Sequence, residues 1–582
     1  AIASDTQNIA RKWTAMSASA GDISLIGIDG TVSADTLSVE INQQATDGSL
    51  IDWMAMPLAV ATGPDASLTL SMDGQRGALL EARGNLTLDM GGFFQVSGGF
   101  AFQKSSASVV LNDVGATEVD IDLLTIGGSG ISAFAGVNGG TDAAMGLSLD
   151  DTSFALALMS EQMAAGSATP ARKWMGLKAE AGGVGLVGID GLTLSADSIS
   201  VLMTDAALDG TVVDFAAMPL VVPTGPGVDM ALDMDGAEGK VLKASGHLDL
   251  DVFGFFQVEG DFAIEKKSGE VTLADTDDNP ATPPETVSVD LLTIGANDVN
   301  AFAGLNGGTE EALGLQLAGA SFALALVKEQ GASMRQWTSL QAEVAAAGLI
   351  GVDGLTLGAS DIAVAINSAG GEYAVIDYSA DSLEIATGPA SSLSLDMDGA
   401  DGTLLKASGN LHLDVFGFFQ ADGGFALEKK SATVTLADVD GDPDTPAEEV
   451  KIDLLTIGAS HLDAFAGVNG GSADALGLAL SDVDFGMALM TEHLAAGSVG
   501  TARKWTALEA TAGAVDFVGL EGIGLSATDL LVQINQADVN GVVVDFQTAP
   551  LTVATGPGAS LDLNMDGSRG AMLRAAGHLE LD

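Results

Sequence analysis

The sequence predicts an all-β protein made of tandem copies of one antiparallel β-meander. Three observations carry that reading. Apolar and polar residues alternate with period two through most of the chain, Asp-Gly and Asn-Gly pairs punctuate the alternating segments, and one set of anchors keeps returning.

The anchors fix the order of the copies. Ala10-Arg11-Lys12-Trp13 returns as Ala171-Arg172-Lys173-Trp174, as Met334-Arg335-Gln336-Trp337 and as Ala502-Arg503-Lys504-Trp505. Thr-Gly-Pro ends at Pro64, Pro226, Pro389 and Pro557, and Gly-Phe-Phe-Gln ends at Gln95, Gln257 and Gln420. The tryptophans alone give a period of about 163 residues. The chain therefore divides into the end of a preceding repeat (1–12), repeats 13–173, 174–336 and 337–504, and a partial repeat 505–582. Because Gly577–Asp582 matches Gly246–Asp251 in mid-repeat, the natural polypeptide is expected to be longer at both ends.

Within one copy the alternation assigns faces. Leu242, Ala244, Gly246, Leu248, Leu250 and Val252 share one side of a strand, with Lys243, Ser245, His247, Asp249 and Asp251 on the other. The next strand places Phe256, Val258, Gly260, Phe262 and Ile264 inward and Gln257, Glu259, Asp261 and Glu265 outward. Asp209-Gly210, Asp235-Gly236, Lys267-Ser268-Gly269 and Asn306-Gly307-Gly308 supply the positive φ that tight antiparallel turns need. Roughly ten strand-like segments per copy follow, with helix confined at most to a stretch such as Met490–Gly497. So many strands must curl their apolar face on itself, pack it on a second sheet or cover it with the next copy. Gly246 and Gly260 mark close approach of a neighbour, Phe255 and Phe256 are expected in the core, and the tryptophans are expected to pack between successive copies.

Composition sets the function classes aside in turn. Against 22 Lys plus Arg stand 79 Asp plus Glu, a net charge of −57, which repels nucleic acid and anionic headgroups. A hydrophobic fraction of 47% distinguishes the chain from a disordered acidic tail. Without cysteine there is no disulfide, thiolate metal site or cysteine nucleophile, a composition suited to an oxidising compartment. No apolar run reaches 18 residues, and two Tyr and five Trp are too few for the aromatic girdles of a transmembrane barrel.

Candidate chemistry gathers in one variable loop. Asn112-Asp113-Val114-Gly115 in the first copy becomes Asp275-Thr276-Asp277-Asp278-Asn279-Pro280 in the second and Asp438-Val439-Asp440-Gly441-Asp442-Pro443-Asp444 in the third. Alternate carboxylates can converge on a hard cation, so Asp438, Asp440, Asp442 and Asp444, with Asp275, Asp277, Asp278 and Asn279, are the metal candidates and Ca²⁺ the ion they suit; a solvated acidic hairpin is the alternative. Three of the five histidines are read as sharing one position on the polar face, where the first copy has Asn85, which argues against a catalytic or metal role. No Gly-x-Ser-x-Gly with a plausible base and no phosphate-binding loop occurs, so no enzyme is expected.

Long, acidic, cysteine-free repeats rich in Gly and Asp resemble the giant surface and secreted proteins of bacteria, including type I-secreted adhesins. The resemblance implies an extracellular or cell-surface, non-catalytic role as a fibre, sheath or adhesive layer, with further copies of itself and cell-surface or matrix components as partners. The alternative is a β-groove whose apolar face carries lipid, similar to bridge-like lipid-transfer proteins. The two readings divide on whether that face is closed by protein or open to a ligand.

Overall fold

The computed structural model describes residues 1–25, 31–164, 167, 169–275, 283–331, 335–371, 373–438, 447–494, 500–519 and 525–581. It is all-β, and its helical content among the described residues is four single turns of 3₁₀ helix. The chain divides into two compact units, one of Ala1–Val252 with Asp261–Ser268 and one of Phe253–Gly260 with Gly269–Asp582.

In the first unit the long strands Lys12–Leu25, Thr31–Gln43, Leu79–Asp89, Phe94–Val110, Glu118–Val137, Met145–Glu161, Lys173–Val187, Leu192–Asp205 and Val241–Val252 each pair antiparallel with the next. The second unit repeats the arrangement from Thr286–Leu305 through Leu313–Glu329, Gln336–Ile350, Leu355–Ala369, Leu404–Val415, Phe419–Thr435, Glu449–Val468, Leu476–Glu492, Lys504–Val518 and Leu525–Gln536 to Met572–Leu581. The meander is the direct product of period-two patterning closed by short turns. From Lys173 to Glu329 the described residues hold eight strands, not ten, and only six of them belong to the long sheet. The proposed short helix is also corrected: Met490–Glu492 completes a strand, and 495–497 lie outside the described residues.

The other two strands belong to a strap. After Leu192–Asp205 the chain leaves the sheet, makes the hairpin Leu220–Gly225 with Val228–Leu232, and re-enters at Val241. This strap folds back over the strands before it. Val213, Phe215, Val222 and Leu232, all at most 1% exposed, pack on Val109, Leu111, Ile121, Leu123, Ala155, Ala157, Met159 and Trp174. Burying a phenylalanine such as Phe215 stabilises by about 1.5–3 kcal/mol. In the second unit Ile376, Tyr378, Ile385 and Leu395 do the same over one set of strands, and Val544, Phe546, Val553 and Leu563 over another.

Two local devices seat the straps. At Gly127 an added Cβ would lie 2.1 Å from the Pro223 carbonyl oxygen, so glycine alone admits the strap backbone there. Gly295 and Gly458 stand in the same relation to Ala386 and Ala554, each from a Leu-Leu-Thr-Ile-Gly segment. The anchor tryptophans lie beneath the straps, Trp174, Trp337 and Trp505 donating their indole N–H to the carbonyls of Thr211, Ala374 and Val542. Arg172 stacks 5.3 Å over Trp174 and forks onto Glu161, whose carboxyl it holds below the usual range; Arg503, Trp505 and Glu492 form the same arrangement.

Candidate ligand-binding face

The straps cover one side of the sheet and only half of it. On the opposite side, residues paired across the first unit form a row Ala18, Val39, Ala82, Phe102, Ile126, Leu156, Leu177, Met203, Leu242. A second row, further along the strands, reads Leu25, Val32, Leu88, Val96, Ala133, Leu149, Val184, Ala196, Leu248. Both rows lie on one face, because Ala82 and Leu88, and likewise Leu242 and Leu248, are six residues apart on strands with unbroken alternation. In the second unit Ala407, Leu427, Ile457, Met487, Leu508, Ile534, Leu573 and Leu413, Ala421, Ala464, Leu480, Val515, Ala527, Leu579 are the equivalent rows.

Keeping these side chains together requires a correction in the backbone. Four neighbouring strands carry one extra residue at mid-length, in left-handed conformation at Gly130 (φ 55°), Asp151 (46°) and Ser198 (52°), with the strand between the last two skipping the same level at Gly182. The second unit has His461 (49°), Asp482 (53°) and Asp529 (53°), with the skip at Gly513. One extra residue reverses the alternation. Apolar positions therefore change from even to odd along Glu118–Val137, Leu124 and Ile126 giving way to Ile131, Ala133 and Ala135, yet Ala133 and Ala135 stay on the face of Leu124 and Ile126. A non-glycine residue in this conformation costs on the order of 1 kcal/mol.

The result, among the described residues, is an uncovered apolar surface in each unit. Between the two rows of the first unit it measures roughly 20 Å along the strands and 38 Å across, about 750 Å², above the few hundred Å² a soluble monomer ordinarily exposes. Leu158, Leu242, Leu147 and Leu194 are 38%, 44%, 50% and 40% exposed on it. Beyond the straps, the other side of the sheet carries Thr193, Ser195, Asp197, His247, Asp249 and Asp251. Phe255 and Phe256, expected in the core, are instead 56% and 44% exposed, as are Phe418 and Phe419 at 58% and 44%.

Of the metal candidates, Asp275 and Asp438 are described, while Asp277, Asp278, Asn279, Asp440, Asp442 and Asp444 lie outside the described residues. Among the described residues no cluster of three or more His, Asp or Glu side chains is placed to hold an ion. The histidine reading is corrected in register: His247 faces Asp197 and His578 faces Thr528, but Asn410 holds that position in the third copy and His412 pairs with Gly358. His247 and His412 hydrogen-bond to Asp261 and Asp422 on the polar side.

No family model matches the chain, and no curated protein does. Among solved structures, the ferric preacinetobactin receptor BauA of Acinetobacter baumannii aligns over 87% of this chain and 77% of its own, at 9% identity and TM-score 0.18. The alcaligin outer membrane receptor FauA of Bordetella pertussis aligns over 87% and 80%, at 9% identity and TM-score 0.13. The expectation of an extracellular fibre, sheath or adhesive layer is corrected by the packing of the copies. Among the described residues the copies seal only the strapped half-face and leave the apolar face open.

Proposed function

We propose that this chain is a non-catalytic carrier that holds lipid-like molecules by their acyl chains on the open apolar face. One observation carries the reading: aligned bulges, each costly to the backbone, keep Leu, Val, Ile, Phe and Met on a single face through a reversal of alternation. A face meant for water would gain nothing from that expense, whereas acyl chains match a broad surface almost free of polar atoms. Tandem copies of about 163 residues would extend the surface by repetition, and a cell-envelope location suits such a cargo.

The test is uptake of a neutral fluorescent hydrophobe, N-phenylnaphthylamine, by the full chain, with displacement by oleoyl lipids. Leu177→Asp together with Leu508→Asp, one charge within each unit's apolar surface, should abolish saturable uptake while leaving the β-sheet circular dichroism intact. Uptake unchanged in the double variant, or no uptake by a monomeric wild-type chain, would refute the reading. Self-association that buries the face would also count against it.

A further inference from the structure

A chain with net charge −57 has few cations to place, and it places several of them along one edge of the open apolar face. In the first unit Lys104 lies in the outermost apolar row, Leu80, Lys104, Leu124, Leu158, Met175. The next row outward is Ser106, Asp122, Ser160, Lys173. The second unit reproduces both rows position for position, with Thr506 in the place of Met175 and Thr491 in that of Ser160: Leu405, Lys429, Leu455, Leu489, Thr506, then Ser431, Asp453, Thr491, Lys504. Two lysines, one carboxylate and two hydroxyls thus stand at the same boundary twice.

These lysines differ in state from most other cations of the chain. Lys104, Lys173, Lys429 and Lys504 are exposed and, among the described residues, make no ion pair. Arg11, Arg172, Arg335 and Arg503 are all engaged with carboxylates. Of the carboxylates between the lysines, Asp122 accepts from the Gln162 side-chain amide and Asp453 meets the His493 ring, an ion pair when that ring is protonated. On strand geometry, Asp122 is about 8 Å from Lys104 and about 10 Å from Lys173 between Cα atoms, within joint reach of one headgroup.

Resting on the carrier reading, we infer that this rim receives a zwitterionic phospholipid headgroup, the lysines taking the phosphate and the aspartate the ammonium, with the acyl chains laid on the apolar face. Lysine is a point-charge binder of phosphate, and the serine and threonine hydroxyls beside it can donate further hydrogen bonds. An anionic head without an amine would leave the carboxylate facing like charge in a strongly negative field. A head without phosphate would leave both ammonium groups unused.

The experiment offers the purified full chain dioleoyl phosphatidylethanolamine, dioleoyl phosphatidylglycerol or dioleoylglycerol from neutral detergent micelles and weighs the bound lipid by native mass spectrometry. Phosphatidylethanolamine should bind roughly tenfold more tightly than dioleoylglycerol, the gain expected of one or two charge-assisted contacts. Replacing Lys104, Lys173, Lys429 and Lys504 by Gln should remove that gain and leave dioleoylglycerol binding unchanged. Asp122→Asn with Asp453→Asn should raise phosphatidylglycerol relative to phosphatidylethanolamine. Equal binding of phosphatidylethanolamine and dioleoylglycerol by the wild type, or a preference untouched by the lysine changes, overturns the headgroup site while leaving the carrier standing. Failure of all three lipids to bind overturns both.

Discussion

Phe215→Ala is the sharpest test of how the straps are held. The ring is fully buried and packs so closely on Gly176 that an added Cβ there would stand 2.8 Å from it. Removal of a buried phenylalanine costs about 3–5 kcal/mol through lost transfer energy and the residual cavity. The loss should fall on the strap and not on the whole sheet, because the strap meets the long strands through side chains and a few backbone bonds, such as the Asp214 amide to the Val110 carbonyl and the Asn112 amide to the Val212 carbonyl. Hydrogen exchange is the assay. Protection of the Asp214 and Ala216 amides should drop about 10²- to 10⁴-fold, while amides in Glu118–Val137 keep most of theirs. Leu158→Ala, on the open face at 38% exposure, is the control and should cost under about 1 kcal/mol. If the two substitutions cost the same, the distinction between a sealed strapped side and an open apolar side is wrong.

Tyr378, 2% exposed and donating to the Ser339 hydroxyl, is pushed up to about 12 by burial. The unfolded phenol ionises near 10, so its contribution is complete below about pH 10 and is lost as the pH rises toward 12. Urea midpoints should fall over that window and fall less in Tyr378→Phe; equal slopes would exclude Tyr378 as the cause. Deleting Asp529 should turn Leu525 and Ala527 to the polar side, strip exchange protection from 525–528 and weaken hydrophobe uptake, whereas Asp529→Gly should keep uptake and gain up to about 1 kcal/mol. Wild-type uptake in the deletion variant would show that the bulge does not maintain the face. If the loops at Asp275–Asn279 and Asp438–Asp444 take calcium, millimolar Ca²⁺ should raise the thermal midpoint more than equimolar Mg²⁺; equal shifts would indicate charge screening alone.

Strand identity and antiparallel order were legible in the sequence, because both follow from period two and from turn residues that act locally. The facing of Leu242, Leu248 and Leu250 could be read directly, since Val241–Val252 carries no bulge. On Glu118–Val137 the shift from Leu124 and Ile126 to Ile131 and Ala133 was visible as a change of phase, yet a left-handed Gly130 between them is a backbone event that alternation alone does not separate from a strand end. The straps were less legible still. Leu220–Gly225 and Val228–Leu232 look like any other alternating pair, and only the tertiary structure lays them on the sheet, where Gly127 leaves room for their backbone and Trp174 offers its indole N–H to the Thr211 carbonyl. The rim lysines were invisible as a group: Lys104 and Lys173 are 69 residues apart in the chain and meet at one edge through the registers of three successive strand pairings. Local pattern determined what each segment became; which face stayed open, and which charges border it, was decided by long-range register and by the strap folding back, neither of which any short stretch of sequence encodes.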